Sequence, residues 1–294
     1  MSGVVGHKPS YGIVPAHGQI PGPPGTLTLA DLAVAGPMAR SVADLQLGLD
    51  LMAGPNRWDG PAWRLELPPA RGGRSVADFR IEAWLDDPHC PVDAESLALL
   101  EGAVEALRGA GARVADDAWP AFSLEKVGTT FHALLQAALG GGESRDRIEE
   151  FATETGDGFV ADTRRALAMR HRDWLGNNER RLQMRRQWEE FFADHDVMLL
   201  PVCVLPALEH DHEPAADRVV EVNGRTRNYF EMITWMAPAG ACYLPATVVP
   251  AGMTDAGLPV GIQIVGPYLN DRTTLAFAEL LVEVIGPIPR PPGF

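Results

Sequence analysis

Apolar residues recur along this chain with two distinct periods. In several stretches they return every three or four positions, the spacing of one helix face. Val42, Leu45, Leu49 and Met52 do so after Ser41, an N-cap residue with Asp44 three positions on, and Gly54-Pro55 stops the run. Leu97, Leu100, Val104 and Leu107 share a face after a cap at Asp93, and Gly109-Ala110-Gly111 closes that helix. Residues 123–195 read as mostly helical, interrupted at Gly140-Gly141-Gly142 and near Gly156-Asp157-Gly158. Leu275, Leu280, Leu281 and Val284 mark a last helix, with Asp271 as its cap and Pro287 as its stop.

Strand signals lie between these helices. Phe79, Ile81, Ala83 and Leu85 alternate with other residues, and Arg113-Val114-Ala115 follows the second helix, which makes a βαβ unit. Val197-Met198-Leu199-Leu200 is wholly apolar and ends at Pro201, as a buried parallel strand does. Ala246–Val249, Val260–Val265 and the short run Leu32–Ala35 are further strand candidates, and Asn223-Gly224 predicts a hairpin turn within residues 217–229. A helix is expected from Tyr229 to about Ala237. Residues 1–30, with Pro9, Pro15, Pro21, Pro23 and Pro24, read as loop. The pattern predicts an α/β fold.

Charge narrows the partners. With 39 acids against 25 bases, the net charge of −14 argues against nucleic acid and against an anionic membrane surface as partners. Apolar runs are too short and too broken for a transmembrane helix. Three widely spaced cysteines, Cys90, Cys203 and Cys242, match neither a disulfide framework nor a zinc site, so a reduced, cytoplasmic setting is expected. The charges of residues 163–193 read as a solvated helix face.

Candidate chemistry is sparse. Ser123-Leu124-Glu125-Lys126 has the spacing of a serine–lysine pair on one helical turn, but Ser123 reads better as an N-cap. His210-Asp211-His212-Glu213 could present two imidazoles to a metal, yet lies in an acidic loop between Pro206 and Pro214. The only lysines are Lys8 and Lys126. Lys8, in His7-Lys8-Pro9, is expected to bind carbonyls or an acid. No metal or cofactor is expected.

Three blocks carry a resemblance. They are Gly3-Val4-Val5-Gly6-His7-Lys8-Pro9-Ser10-Tyr11-Gly12, Ala35-Gly36-Pro37-Met38-Ala39-Arg40-Ser41-Val42-Ala43-Asp44-Leu45, and Gly257-Leu258-Pro259-Val260-Gly261-Ile262-Gln263-Ile264-Val265-Gly266-Pro267. In this order, with Tyr243–Gly252 before the last, they resemble the amidase signature family of serine hydrolases. The resemblance implies one amidase-like domain over residues 1–294, an α/β/α sandwich around a mixed central β-sheet flanked by helices. It also implies hydrolysis of carbon–nitrogen bonds in a small-molecule amide. In that family a lysine, acting through a second serine, activates the nucleophilic serine, and backbone N–H groups of a Gly/Ser-rich loop hold the oxyanion.

That signature precedes the first block in the family, and here only Met1-Ser2 stands there. The expectation is therefore a truncated form without the Ser–Ser–Lys residues, with no catalytic residue carried onto this chain; Ser2 and Ser10 do not inherit the nucleophile's role. The alternatives are one half of a split amidase or a non-catalytic binding or scaffold protein. Trp235 and Tyr243, in a segment 229–243 expected to line the cleft, are the candidate substrate-binding residues. Loss of an N-terminal part would bare apolar faces, so the chain is expected to form a homodimer, to aggregate or to need its missing half.

Overall fold

The computed structural model describes residues 2–17, 25, 27–215 and 217–286. In chain order the elements are β1 (Val5–Lys8), β2 (Met38–Ala39), α1 (Val42–Met52), β3 (Arg80–Ala83), α2 (Ala94–Gly109) and β4 (Arg113–Ala115). Four helices follow, α3 (Leu124–Leu139), α4 (Arg145–Phe151), α5 (Phe159–Leu167) and α6 (His171–Asp194). Then come β5 (Val197–Pro201), β6 (Val219–Val222), β7 (Arg225–Asn228), α7 (Ala237–Ala241), β8 (Ala246–Met253), β9 (Pro259–Val265) and α8 (Asp271–Ile285).

Seven strands form one mixed sheet in the order β2-β1-β8-β9-β5-β3-β4. β3 pairs parallel with β4 and β5, as the βαβ pattern predicts, while β5 runs antiparallel to β9 and β1 antiparallel to β8. β5 is buried at every position. Its wholly apolar run therefore marks burial on both faces, with parallel pairing on one side only. β6 and β7 make a separate hairpin whose turn residues Asn223 and Gly224 have φ of 52° and 73°, the two positive values that a type I′ turn requires.

The alternation of β8 and β9 sorts the helices onto two faces. Thr247, cross-strand from Ile264, bonds Thr274 of α8. Val248 and Gln263 point the other way, and Gln263 Nε2 donates to the carbonyl of Trp235 at 3.2 Å. One face thus carries α8, against which α1 and α2 pack, and the other carries the 3-10 turn Tyr229–Met236 that leads into α7. The expected α/β/α layering follows, and most buried apolar side chains form one connected cluster, with Leu134, Phe151, Ala161 and Ala166 of α3, α4 and α5 outside it.

Capping follows local sequence in three places. Ser41, Asp93 and Ser123 each accept hydrogen bonds from backbone N–H groups in the first turn of α1, α2 and α3. Ser123 is thus occupied as a cap, receiving Lys126 N–H at 3.2 Å.

Other expectations are corrected. Residues 1–30 are not all loop, because Val5–Lys8 is an inner strand paired to β8 at Gly6–Val248, His7–Thr247 and Lys8–Ala246. Leu32–Ala35 is not a strand; the chain turns there, with Leu32 at φ 66°. Tyr229–Met236 is 3-10 rather than α-helical. Asp271 does not cap α8: it is the first helical residue, and its carboxylate is turned to β1. The expected stop at Pro287 lies outside the described residues.

The loop before β2 approaches β1 closely. A Cβ on Gly36 would stand 2.0 Å from the His7 carbonyl oxygen and 2.6 Å from Pro9 Cδ. Gly36→Ala must push apart two backbones joined by the His7 N–H to Pro37 carbonyl bond of 3.0 Å. The expected loss is about 3 kcal/mol, read as a lowered urea midpoint at unchanged slope.

Candidate active-site pocket

A cavity of about 960 Å³ opens between α3, α5 and the 3-10 turn Tyr229–Met236. Its apolar wall is aromatic. Phe159 stacks on Phe230 with ring centroids 4.9 Å apart, and His132 lies 4.6 Å from Phe159. The size suits a small organic ligand, and the lining has an aromatic side and a charged side that includes Asp162, Arg165, Arg170, Asp173, Arg227 and Glu231. Phe230, Glu231, Ile233 and Thr234 line it, and all four lie in the segment expected from sequence to border the cleft.

The polar groups are placed by ion pairs. Arg165 donates to Asp162 Oδ1 at 2.6 Å and to the Gly156 carbonyl at 2.6 Å. Arg227 is held by Glu231 and by the His89 carbonyl at 2.8 Å. The Arg170 guanidinium makes no ion pair among the described residues. Burial lowers the pKa of His132 more than Asp162 raises it, so the imidazole is neutral. The Thr163 hydroxyl donates to the Phe159 carbonyl, so at 3.1 Å it accepts from His132 Nε2–H and leaves Nδ1 as an acceptor. The cavity can bind, but no serine, lysine or cysteine lines it.

Elsewhere the nucleophile candidates are engaged or inert. Burial pushes the Cys90 and Cys242 thiols up to about 12 and Cys203 up to about 11, so none is a thiolate at neutral pH. Lys8 Nζ donates to the Pro9 carbonyl at 2.9 Å, as its sequence context suggested, and burial lowers its ammonium to about 8.

Ser10 is fully buried; its hydroxyl donates to Asp271 Oδ2 at 2.7 Å and accepts from Leu269 N–H at 2.9 Å. His7 Nε2 lies 3.2 Å from the other oxygen of Asp271, and Nδ1 lies 2.9 Å from Thr247 Oγ1. The residue types are those of a serine triad but the order is not: the carboxylate, rather than the imidazole, holds the serine hydroxyl. Burial lowers the pKa of His7 more than Asp271 raises it, so this is a neutral imidazole bonded to a carboxylate. The cluster ties β1 to β8 and α8. His210, Asp211, His212 and Glu213 are all exposed, and no group of three or more potential metal ligands occurs among the described residues.

The two candidate substrate residues are placed differently. Trp235 is fully buried, with Nε1 donating to the Cys90 carbonyl at 2.9 Å and its ring edge-on to Trp84. It lies directly after the cavity-lining Ile233 and Thr234. Tyr243 is half-buried and lies outside the cavity lining. Its backbone holds φ 67°, its ring stacks on Tyr11 at 4.1 Å, and its hydroxyl donates to Asp31 Oδ1 at 2.7 Å. A non-glycine residue in the left-handed region is strained, and such strain concentrates at binding and catalytic sites. Burial and the bond to Asp31 push the Tyr243 hydroxyl pKa up, so it stays a donor.

Arg181 completes that second cluster. It is 2% exposed, and Nη1 reaches both oxygens of Asp31 at 2.9 and 2.8 Å. Its guanidinium also lies 4.5 Å from the Tyr243 ring. The expectation of a wholly solvated charged face on α6 fails here. A signal existed: Arg181, Met184, Trp188 and Phe192 fall at helical spacing on one buried stripe, and an arginine on an apolar stripe needs a buried partner. Phe131, His132 and Phe159 were not legible as pocket residues, because only the docking of α3 on α5 makes them neighbours.

The family profile described as Amidase matches residues 1–275. The chain is 29% identical to a glutamyl-tRNA(Gln) amidotransferase subunit of Halobacterium salinarum, across 93% of this chain and 66% of that protein. It is 28% identical to indoleacetamide hydrolase of Bradyrhizobium japonicum, across 91% of this chain and 57% of that protein. Among solved structures, a bacterial aryl acylamidase of the amidase signature enzymes has the same fold, with a TM-score of 0.72 at 20% identity, covering 96% of this chain and 58% of that one. The chain thus spans between 57% and 66% of the length of these three relatives. No helix among the described residues is long and apolar enough to cross a membrane. Since the profile runs from the first residue into α8, the chain belongs to the Amidase family.

Proposed function

We propose that this chain forms the substrate-binding part of a hydrolase of carbon–nitrogen bonds, holding the apolar portion of a small amide in the cavity between α3, α5 and the turn Tyr229–Met236. The observation that carries this reading is the stacked Phe159–Phe230 wall of a cavity of about 960 Å³, to which the segment expected to border the cleft contributes Phe230. An aromatic wall favours amides with a ring on the acyl side. Trp235 backs that segment from the interior, and Tyr243, in the Asp31–Arg181 cluster outside the cavity, would meet only a part of the substrate that extends beyond it. Residues 1–294 act as one domain, a reading supported by the connected apolar cluster that joins the sheet to α1, α2, α3, α6 and α8.

The Ser–Ser–Lys relay is supplied by polypeptide outside this sequence, either contiguous with it or as a separate partner. In support, both lysines and all serines are described residues, and no serine hydroxyl bonds a lysine ammonium. A relay needs the hydroxyl and amine in hydrogen-bond reach.

The purified chain is expected to bind phenylacetamide in calorimetric titration, and Phe230→Ala to weaken that binding about tenfold. It is also expected to show no amide turnover above buffer and no serine labelling by a fluorophosphonate. Stoichiometric labelling or turnover would overturn the external relay. Binding indifferent to Phe230 would overturn the pocket. Turnover restored by adding a Ser–Ser–Lys-bearing polypeptide would support the split form, whereas intact binding with no restored turnover would favour a non-catalytic binding protein.

A further inference from the structure

A second cavity, of about 420 Å³, shares no lining residue with the first. It lies between the end of β3, one face of α2 and the segment after β4. Its size is within the range of small-ligand sites. Two indoles form part of its wall. Trp84 is buried and Trp119 is 48% exposed, and their rings lie nearly parallel, at 20° with centroids 5.9 Å apart. A half-exposed indole in a cavity wall offers a ligand the negative face of its quadrupole.

The charge around it is predominantly negative. Asp86, Glu101, Glu105 and Asp116 line the cavity with Arg108 as the lone cation. Arg108 is already committed, to Glu105 at 2.7 Å, to Asp116 at 3.4 Å and to the Val114 carbonyl at 2.9 Å. Among the described residues Asp86 accepts the Val92 N–H at 2.8 Å and no other hydrogen bond, and Glu101 makes no ion pair. Two carboxylates are therefore left uncompensated beside an aromatic wall, and Leu85, Leu97 and Val104 supply apolar lining. A bare metal ion does not fit this lining: the carboxylates are not gathered as ligands, and alkyl and indole groups offer it nothing. An anion is repelled. What fits is a cation that carries its own apolar surface.

We propose that this cavity binds an organic cation, an alkyl- or trialkylammonium group seated against Trp119 and Trp84 with its charge toward Asp86 and Glu101. The indole faces attract the charged head, and the two carboxylates add attraction that salt screens. Hydrophobic burial alone would not distinguish a cation from a neutral group of the same shape, and this difference defines the test.

The probes are choline and its uncharged carbon isostere, in which a tert-butyl group replaces the trimethylammonium head. Isotope-labelled indole N–H signals of the full chain report the site. Choline is expected to shift the Trp84 and Trp119 signals saturably, and the isostere to bind at least about tenfold more weakly. The pair Asp86→Asn and Glu101→Gln is expected to weaken choline severalfold and to flatten its salt dependence. Trp119→Ala is expected to weaken it about tenfold, while Trp119→Phe retains most of the affinity. The Trp119 ring is half-exposed, so both variants are expected to fold, with an unchanged urea midpoint as the check. Equal binding of choline and the isostere, no saturable shift at the two indoles, or choline affinity unchanged in both the carboxylate pair and Trp119→Ala would each overturn the proposal.

Discussion

Replacing Asp271 by alanine is expected to cost about 3–5 kcal/mol of folding stability, among the largest effects of any single substitution in this chain. The carboxylate has no exposed surface and accepts three hydrogen bonds from β1 and the residues that follow it: Ser10 N–H and Ser10 Oγ–H at 2.7 Å each, and His7 Nε2–H at 3.2 Å. Removing it leaves those donors buried without a partner, and each such group carries its own desolvation cost. It also removes a negative charge from the first turn of α8, where the helix dipole favours one. Equilibrium urea unfolding measures the loss. A change below about 1 kcal/mol would mean that the cluster does not hold β1 to α8.

The same cluster sets a pH dependence. Burial opposes ionisation of Asp271, but the bonds from His7 and Ser10 outweigh it and hold the carboxyl below its ordinary range. Its contribution is complete above the unfolded-state value of about 3.9 and is lost as pH falls through the lower folded-state value. His7 is also lowered, by burial against the pull of Asp271 and with a small contribution from Lys8. The unfolded chain therefore protonates its His7 first, at about 6.5, and stability declines as pH falls below that. Urea midpoints measured between about pH 7 and pH 5 are expected to fall in the wild type and to fall less in His7→Asn.

Arg181→Met is expected to cost about 3 kcal/mol. The guanidinium is 2% exposed and the Asp31 side chain 16%, so loss of the arginine strands a largely buried carboxylate. The stem of methionine replaces most of the lost packing, which isolates the electrostatic part. Asp31→Asn in the same chain is expected to recover about half of the loss, because the stranded charge is then removed. Tyr243 reports the change: its hydroxyl bonds Asp31 and its ring lies under Arg181, so tyrosine protection from solvent should fall with the pair. Strictly additive effects of the two substitutions would contradict a direct pairing.

What the sequence determined by itself was local. Ser41, Asp93 and Ser123 cap the helices their positions suggested, since a cap needs only a side chain and the N–H groups two or three residues on. Asn223-Gly224 turned where both residues had to adopt positive φ. The apolar runs at Val197–Leu200 and Val260–Val265 became strands, and the three sequence blocks named the family correctly.

Tertiary structure decided the rest. Four residues between glycines and prolines, Val5–Lys8, are a strand only because β8, some 240 positions later, offers its edge. Leu32–Ala35 has strand-like residues but no partner, and it turns instead. Asp271 could cap its own helix, yet its carboxylate meets more donors on β1, and three buried hydrogen bonds outweigh one exposed cap. Arg181 sits in a charged helix that reads as solvated, and only the return of Asp31 across 150 positions makes its burial tolerable. Pocket walls are the extreme case. Phe159 and Phe230 stack through the docking of separate elements, and no local period records which helix faces will meet.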